Sequence, residues 1–167
     1  AGIDLKEARV VSDDRAAIIS AVNALRTSYD TVFTSGGIGP THDDITAECI
    51  AAAFDTPITI RKDAYDLLKA HYDARGQEFN AARQRMARIP DGASLIENPV
   101  STAPGFTIGN VHVMAGVPSV FEAMVASVLP TLTGGAPLLS MTYRINQGEG
   151  TIAGPLSDLA DVYSDLS

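Results

Sequence analysis

Apolar positions near the start of the chain recur at the spacing of a helix. They follow the aspartate pair Asp13-Asp14, whose carboxylates suit a helix N-cap because they accept hydrogen bonds from the free amides of the first turn. The apolar positions are Ile18, Ile19, Val22 and Leu25. The spacing therefore predicts a helix that begins just after the pair.

A short run of β-branched and aromatic residues comes next. This run, residues 29–34, stops at a glycine-rich loop and is typical of a buried strand. Residues 44–54 then carry apolar side chains along one side before Pro57, which predicts a second helix. The sequence thus predicts a strand, a glycine loop and a helix in succession.

Predicted helices and strands alternate through the middle of the chain. Residues 62–88 predict two helices with a turn at Arg75-Gly76, and residues 120–129 predict another helix. The expected strands are residues 94–96, 107–108 and 111–114. The turn dipeptide Gly109-Asn110 suits a hairpin between the last two strands. This alternation favours an α/β layered sheet.

The pattern changes near the C-terminal end of the sequence. Gly134-Gly135 forms a break, residues 141–145 alternate like a half-exposed strand, and residues 153–163 predict a short helix. We therefore predict an α/β domain over residues 1–136. Residues 137–167 are interpreted as the start of a small second α+β unit that is truncated here.

The composition restricts the classes of ligand. Lys and Arg total 12 against 20 Asp and Glu, a formal net charge of −8, which repels nucleic acid and anionic membranes. No apolar stretch reaches the roughly 20 residues of a membrane-spanning helix. The single cysteine, Cys49, has the setting of a helix core residue. We expect a cytoplasmic protein without a signal peptide that binds a small molecule and has no nucleic-acid or membrane partner.

The residues that carry chemistry are concentrated between the predicted strand and helix, where three glycines allow backbone amides to approach an anion closely. A glycine loop at a helix start suits a phosphate group. The predicted substrate-binding residues of this loop are Ser35, Gly36, Gly37, Gly39, Pro40 and Thr41.

Two carboxylates, Asp43 and Asp44, lie at the mouth of the same loop. Carboxylates repel phosphate unless a cation lies between them, so the pair predicts a site for Mg²⁺ or another divalent cation. Asp43 and Asp44 are accordingly predicted as catalytic residues and metal ligands. The alternative is that one of them only caps the helix, without any ligand.

Other polar residues allow two interpretations each. Gly116, Pro118 and Ser119 precede the predicted helix at 120–129, where Ser119 could hold a second phosphate or serve as an ordinary N-cap. Arg83 and Arg85 belong to a basic stretch that could clamp a phosphate or form a solvated helix face. The histidines show no zinc-ligand spacing.

Residues 36–46 strongly resemble the GGxGPTxDDxT motif of molybdopterin-binding, molybdenum cofactor biosynthesis-like domains, in the version of the CinA family and of eukaryotic FAD synthases. Residues 98–106 are similar to the family's NPxGTAPGF loop, with Ser101 for glycine. Residues 115–124 are similar to its PGVPxEM segment, with Ala115 for proline and the glutamate displaced. Residues 148–156 resemble the opening of its small second domain.

This resemblance implies a three-layer α/β/α sandwich with a mostly parallel central sheet. The family begins with a strand and a GDE-type turn, and this sequence starts after them, so we expect the N-terminal strand to be missing. A pterin or an adenine nucleotide diphosphate would bind where the glycine loop meets the helix. The resemblance also implies a homo-oligomer, either a dimer or a trimer.

Within the family, the resemblance implies three functions. CinA-like members are similar to diphosphatases, and the Pro-Thr-x-Asp-Asp form of the motif favours this function. We therefore expect metal-dependent hydrolysis of a nucleotide diphosphate such as ADP-ribose or FAD, releasing AMP. Thr46 would fix the helix start and Ser119 would close the other side of the site. The alternatives are a molybdopterin adenylyltransferase, with molybdopterin as ligand, and a non-catalytic pterin- or nucleotide-binding module.

Overall fold

A computed structural model describes residues 2–135 and 139–163 of the chain. These residues belong to two units, one formed by residues 3–135 and the other including residues 139–163. The helices are α1 (Arg15–Ser28), α2 (Thr46–Ala53), α3 (Lys62–Ala74), α4 (Ala81–Gln84), α5 (Pro118–Val128) and α6 (Glu149–Val162). The strands are β1 (Val32–Ser35), β2 (Ile58–Ile60), β3 (Arg88–Pro90), β4 (Ser94–Ile96), β5 (Gly105–Ile108) and β6 (Val111–Met114).

The main sheet of residues 3–135 has the strand order β1-β6-β5-β4. Strand β1 runs parallel to β6, whereas β5 is antiparallel to both of its neighbours. The β5–β6 hairpin turns at Gly109-Asn110 as predicted, with φ of 55° at Gly109. Strands β2 and β3, which the sequence did not predict, form a separate antiparallel pair.

Helices cover both faces of this sheet. All four residues of β6 are buried. Val111 and Val113 belong to a core cluster with residues of α1, α2 and α3, whereas Met114 belongs to a second cluster with Val120 and Met124 of α5. Because successive strand residues point to opposite faces, the two clusters lie on the two sides of the sheet. The predicted α/β class, with a sheet between helical layers, is confirmed.

The first two helices follow their local sequence signals closely. The Asp14 side chain caps α1 by accepting from the Ala17 amide at 2.8 Å, as the aspartate pair predicted. Helix α2 begins at Thr46, two residues later than predicted, and buries Cys49 completely. The predicted second helix of residues 62–88 is only the short α4 followed by a 3₁₀ turn, Arg85–Ala87.

The second unit contains helix α6, which begins four residues before the predicted helix. The predicted strand at residues 141–145 is wrong, because these residues are neither strand nor helix. Alternating side chains are not sufficient for a strand, which needs a neighbour for its backbone, and no strand lies among residues 139–163. The two predicted units also include residues 136–138 and 164–167, which lie outside the described residues. No helix in residues 2–135 or 139–163 is long and apolar enough to span a bilayer.

Candidate functional site

The predicted phosphate loop connects β1 to α2 and begins beside β6. Gly36 and Gly37 have φ of 100° and 70°, values that glycine adopts at no steric cost. The Gly36 amide donates to the Met114 carbonyl at 2.9 Å, so the loop leaves the sheet from a fixed position. Ser35 is the exposed last residue of β1, and Pro40 is half-buried within the loop.

The loop closes onto the start of α2. The Thr46 amide donates to the Gly37 carbonyl at 2.9 Å, and the Thr46 side chain is buried. Helix α2 has Ile45 at its N-cap position and no side-chain cap. The alternative in which Asp43 or Asp44 only caps this helix is therefore wrong.

The Asp44 carboxylate instead turns back onto the loop. Its Oδ2 accepts from the Thr41 amide at 2.9 Å and from the Thr41 hydroxyl at 2.5 Å. The same oxygen packs against Gly39, where a β-carbon would lie only 2.6 Å away. Asp44 is thereby held at the inner edge of the loop, in an orientation that the loop itself fixes.

Asp43 is exposed beside it. The neighbouring Thr41 hydroxyl, followed by the backbone amide of Asp43 and the charge of His42, holds the pKa of Asp43 below its usual range. Asp43 is therefore ionised at neutral pH.

These two carboxylates supply oxygen ligands of the kind that Mg²⁺ prefers. Within residues 2–135 and 139–163, no group of three or more His, Cys, Asp or Glu side chains could hold a metal ion. A cation at Asp43 and Asp44 would thus take its remaining ligands from water and phosphate oxygens. Mg²⁺ binds in this way when it is held jointly by one or two carboxylates and a substrate phosphate. The donor set fits such an ion.

A shallow, open cleft adjoins the loop. Gly39 and Asp44 lie on its wall, together with charged residues of α2 and of the segment after α4. Its lining residues are Ile38, Gly39, Asp44, Ala47, Glu48, Ile58, Arg85, Met86, Arg88, Ile89, Pro104 and Phe106. The cleft therefore combines apolar walls with two acidic and two basic side chains.

Glu48 and Arg88 were not predicted as site residues. Arg88 Nη1 donates to Glu48 Oε1, and Arg85 Nη2 lies 3.9 Å from the same oxygen. The one signal in the sequence was that Glu48 falls in the first turn of the predicted second helix, close to the two loop aspartates. The partners of Glu48 come from a segment about forty residues away, so local sequence patterns could not reveal them.

The predicted residues at the start of α5 approach the loop from its other side. A β-carbon on Gly116 would lie 3.1 Å from the Cα of Gly36, so these two glycines allow the close contact of the two segments. Pro118 is the first residue of α5 and the exposed Ser119 is the second. The N-cap position belongs to Val117, so Ser119 is not an N-cap. None of Gly116, Pro118 and Ser119 lines the cleft.

Together, β1, the glycine loop and α2 form a strand–loop–helix unit at one edge of the sheet of an α/β domain. Residues 1–134 match the family model described as a probable molybdopterin binding domain. The chain belongs to this family, and its relatives identify it as a CinA-like member.

The similar proteins include CinA-like chains and one solved structure. A CinA-like protein from Citrifermentans bemidjiense is 40% identical over 129 residues, which cover 74% of this chain and 31% of that protein. One from Parasynechococcus marenigrum is 34% identical over 174 residues, covering 96% of this chain and 42% of that protein. A crystal structure of the protein CinA with unknown function, from Thermoplasma acidophilum, matches with a TM-score of 0.64 and 36% identity, covering 71% of this chain and 72% of that chain. This chain thus spans less than half the length of these two CinA-like relatives.

Proposed function

We propose that residues 3–135 bind a nucleotide diphosphate at the glycine loop and hydrolyse it with the help of a divalent cation, releasing AMP from ADP-ribose or FAD. The observation that supports this proposal is the placement of Asp43 and Asp44 on the loop itself. Asp44 is oriented by two hydrogen bonds from Thr41, and Asp43 is exposed and ionised. Two carboxylates beside a phosphate loop need a cation to offset their repulsion of the ligand.

Each part of the loop has a distinct task in this proposal. The backbone amides of Gly37 and Gly39 would donate to phosphate oxygens, because these residues carry no side chain of their own, whereas the Gly36 amide is bonded to the Met114 carbonyl. Asp43 and Asp44 would hold Mg²⁺ or Co²⁺. When bound, the ion would offset the negative charge of the diphosphate and lower the pKa of an attacking water.

The apolar walls of the cleft suit a ligand with a flat ring system. Ile38, Ile58 and Met86 present apolar side chains beside the polar edge formed by Gly39 and Asp44. Binding sites for small molecules commonly combine apolar walls with a few polar groups that fix orientation. An adenine or pterin ring against these walls would place its phosphates toward the loop.

The direct test is release of AMP from ADP-ribose, and separately from FAD, by this chain with Mg²⁺ or Co²⁺. We expect metal-dependent AMP release that the Asp44→Asn variant loses. Consumption of ATP only when molybdopterin is present would instead identify an adenylyltransferase. Saturable binding of a nucleotide or pterin without any product would identify a binding module.

The homo-oligomeric state, a dimer or a trimer, and the cytoplasmic location stay predictions. Sedimentation equilibrium of the purified chain would measure the first. Fractionation of the source cells, followed by detection with an antibody, would measure the second.

A further inference from the structure

Arg85 is a loosely held cation on the wall of the cleft. Its Nη2 donates to the Asp44 carbonyl at 3.4 Å, a long hydrogen bond, and lies 3.9 Å from Glu48. Its Nε is buried and has no hydrogen-bond partner among residues 2–135 and 139–163. A buried charged donor without an acceptor is unfavourable, so this side chain gains free energy if an anion offers oxygens to it.

The backbone that carries Arg85 is firmly placed. Arg85 begins the 3₁₀ turn that ends at Ala87, which is fully buried. The Ala87 carbonyl accepts from the Arg61 amide at 2.9 Å, which joins the turn to the segment after β2. An adjustment toward a ligand therefore requires movement of the Arg85 side chain only.

Arg88 differs from Arg85 because its charge is already matched. Arg88 Nη1 is hydrogen-bonded to Glu48 Oε1, and Arg88 lies on β3, paired with Ile60. This pair occupies Glu48, the carboxylate that would otherwise bind Arg85. Asp44 is likewise engaged, by Thr41. Of the two arginines on the cleft wall, Arg85 is therefore the one whose charge is available.

We propose that the Arg85 guanidinium binds a phosphate group in the cleft, across from the glycine loop, and that the Glu48–Arg88 ion pair positions Arg85 for this contact. The proposal rests on the proposed function in taking the ligand to be a nucleoside diphosphate. An arginine donates two parallel N–H bonds to phosphate oxygens, and Nε is one of the donors used in such a fork. The ligand would thus supply the acceptor that Nε lacks.

The first test measures binding without turnover. The probe is α,β-methylene-ADP, whose methylene bridge cannot be hydrolysed to release AMP, titrated calorimetrically into the chain in the presence of Mg²⁺. We expect Arg85→Ala to weaken binding by at least about tenfold. Arg85→Lys retains the charge without the fork, and its affinity is expected to lie between those of the native chain and Arg85→Ala.

Arg83→Ala is the matched control, because it removes the same charge two residues away. Arg83 stacks on the Tyr72 ring at 4.4 Å, donates to the Glu78 carbonyl and does not line the cleft. We expect its affinity for the probe to stay within about twofold of the native value.

The positioning role of Arg88 has a readout of its own. Arg88→Ala should weaken probe binding severalfold, because it frees Glu48 to bind Arg85. Adding Glu48→Gln should restore affinity, since the competing carboxylate is then gone. A purely structural role of the ion pair would leave the double variant as weak as Arg88→Ala or weaker.

The proposal is overturned if the native chain does not bind the probe, or if both Arg85 variants bind it as the native chain does. Its failure is distinguishable from failure of the proposed hydrolysis. Metal-dependent AMP release with an unchanged KM in Arg85→Ala would remove Arg85 from the site and leave the hydrolysis intact. Arg85-dependent probe binding without AMP release would support the contact between Arg85 and phosphate and contradict the proposed hydrolysis.

Discussion

Gly37 and Thr46 lie so close together that a β-carbon on Gly37 would be 2.0 Å from the Thr46 hydroxyl oxygen. The Gly37 backbone also has φ of 70°, which side chains rarely allow. The Thr46 amide donates to the carbonyl of the same glycine. Glycine is therefore required at position 37 both for its conformation and for the space it leaves to Thr46.

Replacing Gly37 by alanine should destabilise the fold more than an ordinary left-handed glycine would. The backbone conformation alone costs about 1–2 kcal/mol when a β-carbon is added. Gly76→Ala is the control, because Gly76 has φ of 61° and nothing lies within 4 Å of its β-carbon position. Urea unfolding of both variants should show the larger loss for Gly37→Ala. Equal losses would mean that the contact with Thr46 is relieved without cost.

Asp43→Asn and Asp44→Asn should each fold normally and lose AMP release by orders of magnitude. An amide binds a divalent cation more weakly than a carboxylate does, while the side-chain oxygen that remains in Asp44→Asn can still accept from the Thr41 amide. Turnover of ADP-ribose with Mg²⁺ is the measurement, alongside a thermal melt.

The control for these two variants is Asp66→Asn on α3. Asp66 forms an exposed ion pair with Lys62, and such a pair contributes little to stability. Its turnover should therefore equal that of the native chain. Near-normal turnover in both loop variants would contradict the metal role.

Much of the fold could be predicted because the signals for several of its elements are local. The Asp14 cap, the glycines after β1 and the turn at Gly109 each specify an element through residues close to it in sequence. The β2–β3 pair could not be predicted, because three-residue strands pair across about thirty residues, with Ile58 opposite Pro90. Short strands without strong alternation are specified by such distant partners.

The candidate site divides in the same way. Its loop is one continuous motif, and the structure brings Gly116 close to Gly36. The opposite wall of the cleft comes from Arg85, Arg88 and Pro104, which lie far along the chain from the loop. The basic stretch indicated that arginines were available near the site. Only the folded structure shows that Arg85 lines the cleft, whereas Arg83 stacks on the Tyr72 ring outside it.

Asn98 is buried, and all of its side-chain hydrogen-bonding groups are in use. Its amide nitrogen donates to the Ala103 carbonyl at 2.8 Å and to Ser101 Oγ at 2.6 Å. Its oxygen accepts from the amides of Val100 and Ser101, each at 3.1 Å. Asn98 thus holds the loop that carries Pro104 to the cleft.

Asn98→Asp should lower the free energy of unfolding by about 1–3 kcal/mol, because a carboxylate cannot donate to the Ala103 carbonyl. The KM for the diphosphate substrate should rise, since Pro104 loses its support. Ser101→Gly removes one acceptor only and introduces the glycine usual in the family, so it should cost less. Thermal melts compare the two variants, and a greater loss for Ser101→Gly would contradict the role of Asn98.

His112 lies inside the sheet, on the α5 side. Its Nδ1 is 2.8 Å from the Thr107 hydroxyl, and its ring lies 5.2 Å from that of Phe33. Burial lowers the pKa of His112 from its usual value of 6.5. The hydroxyl of Thr107 can donate to Nδ1 only while that nitrogen carries no proton.

Stability should therefore fall as the pH decreases below about 6.5, because the unfolded chain then binds a proton that folded His112 resists. Above that pH both states are neutral at this residue and the dependence disappears. One such group contributes at most about 1.4 kcal/mol per pH unit. Desolvation and then Arg75 lower the pKa of His71 in the same direction, so both histidines add to the slope. The urea midpoint, measured between pH 5.5 and 8, should depend less on pH in His112→Gln than in the native chain. If the dependence on pH were lost only in His71→Gln, His112 would not titrate in this range.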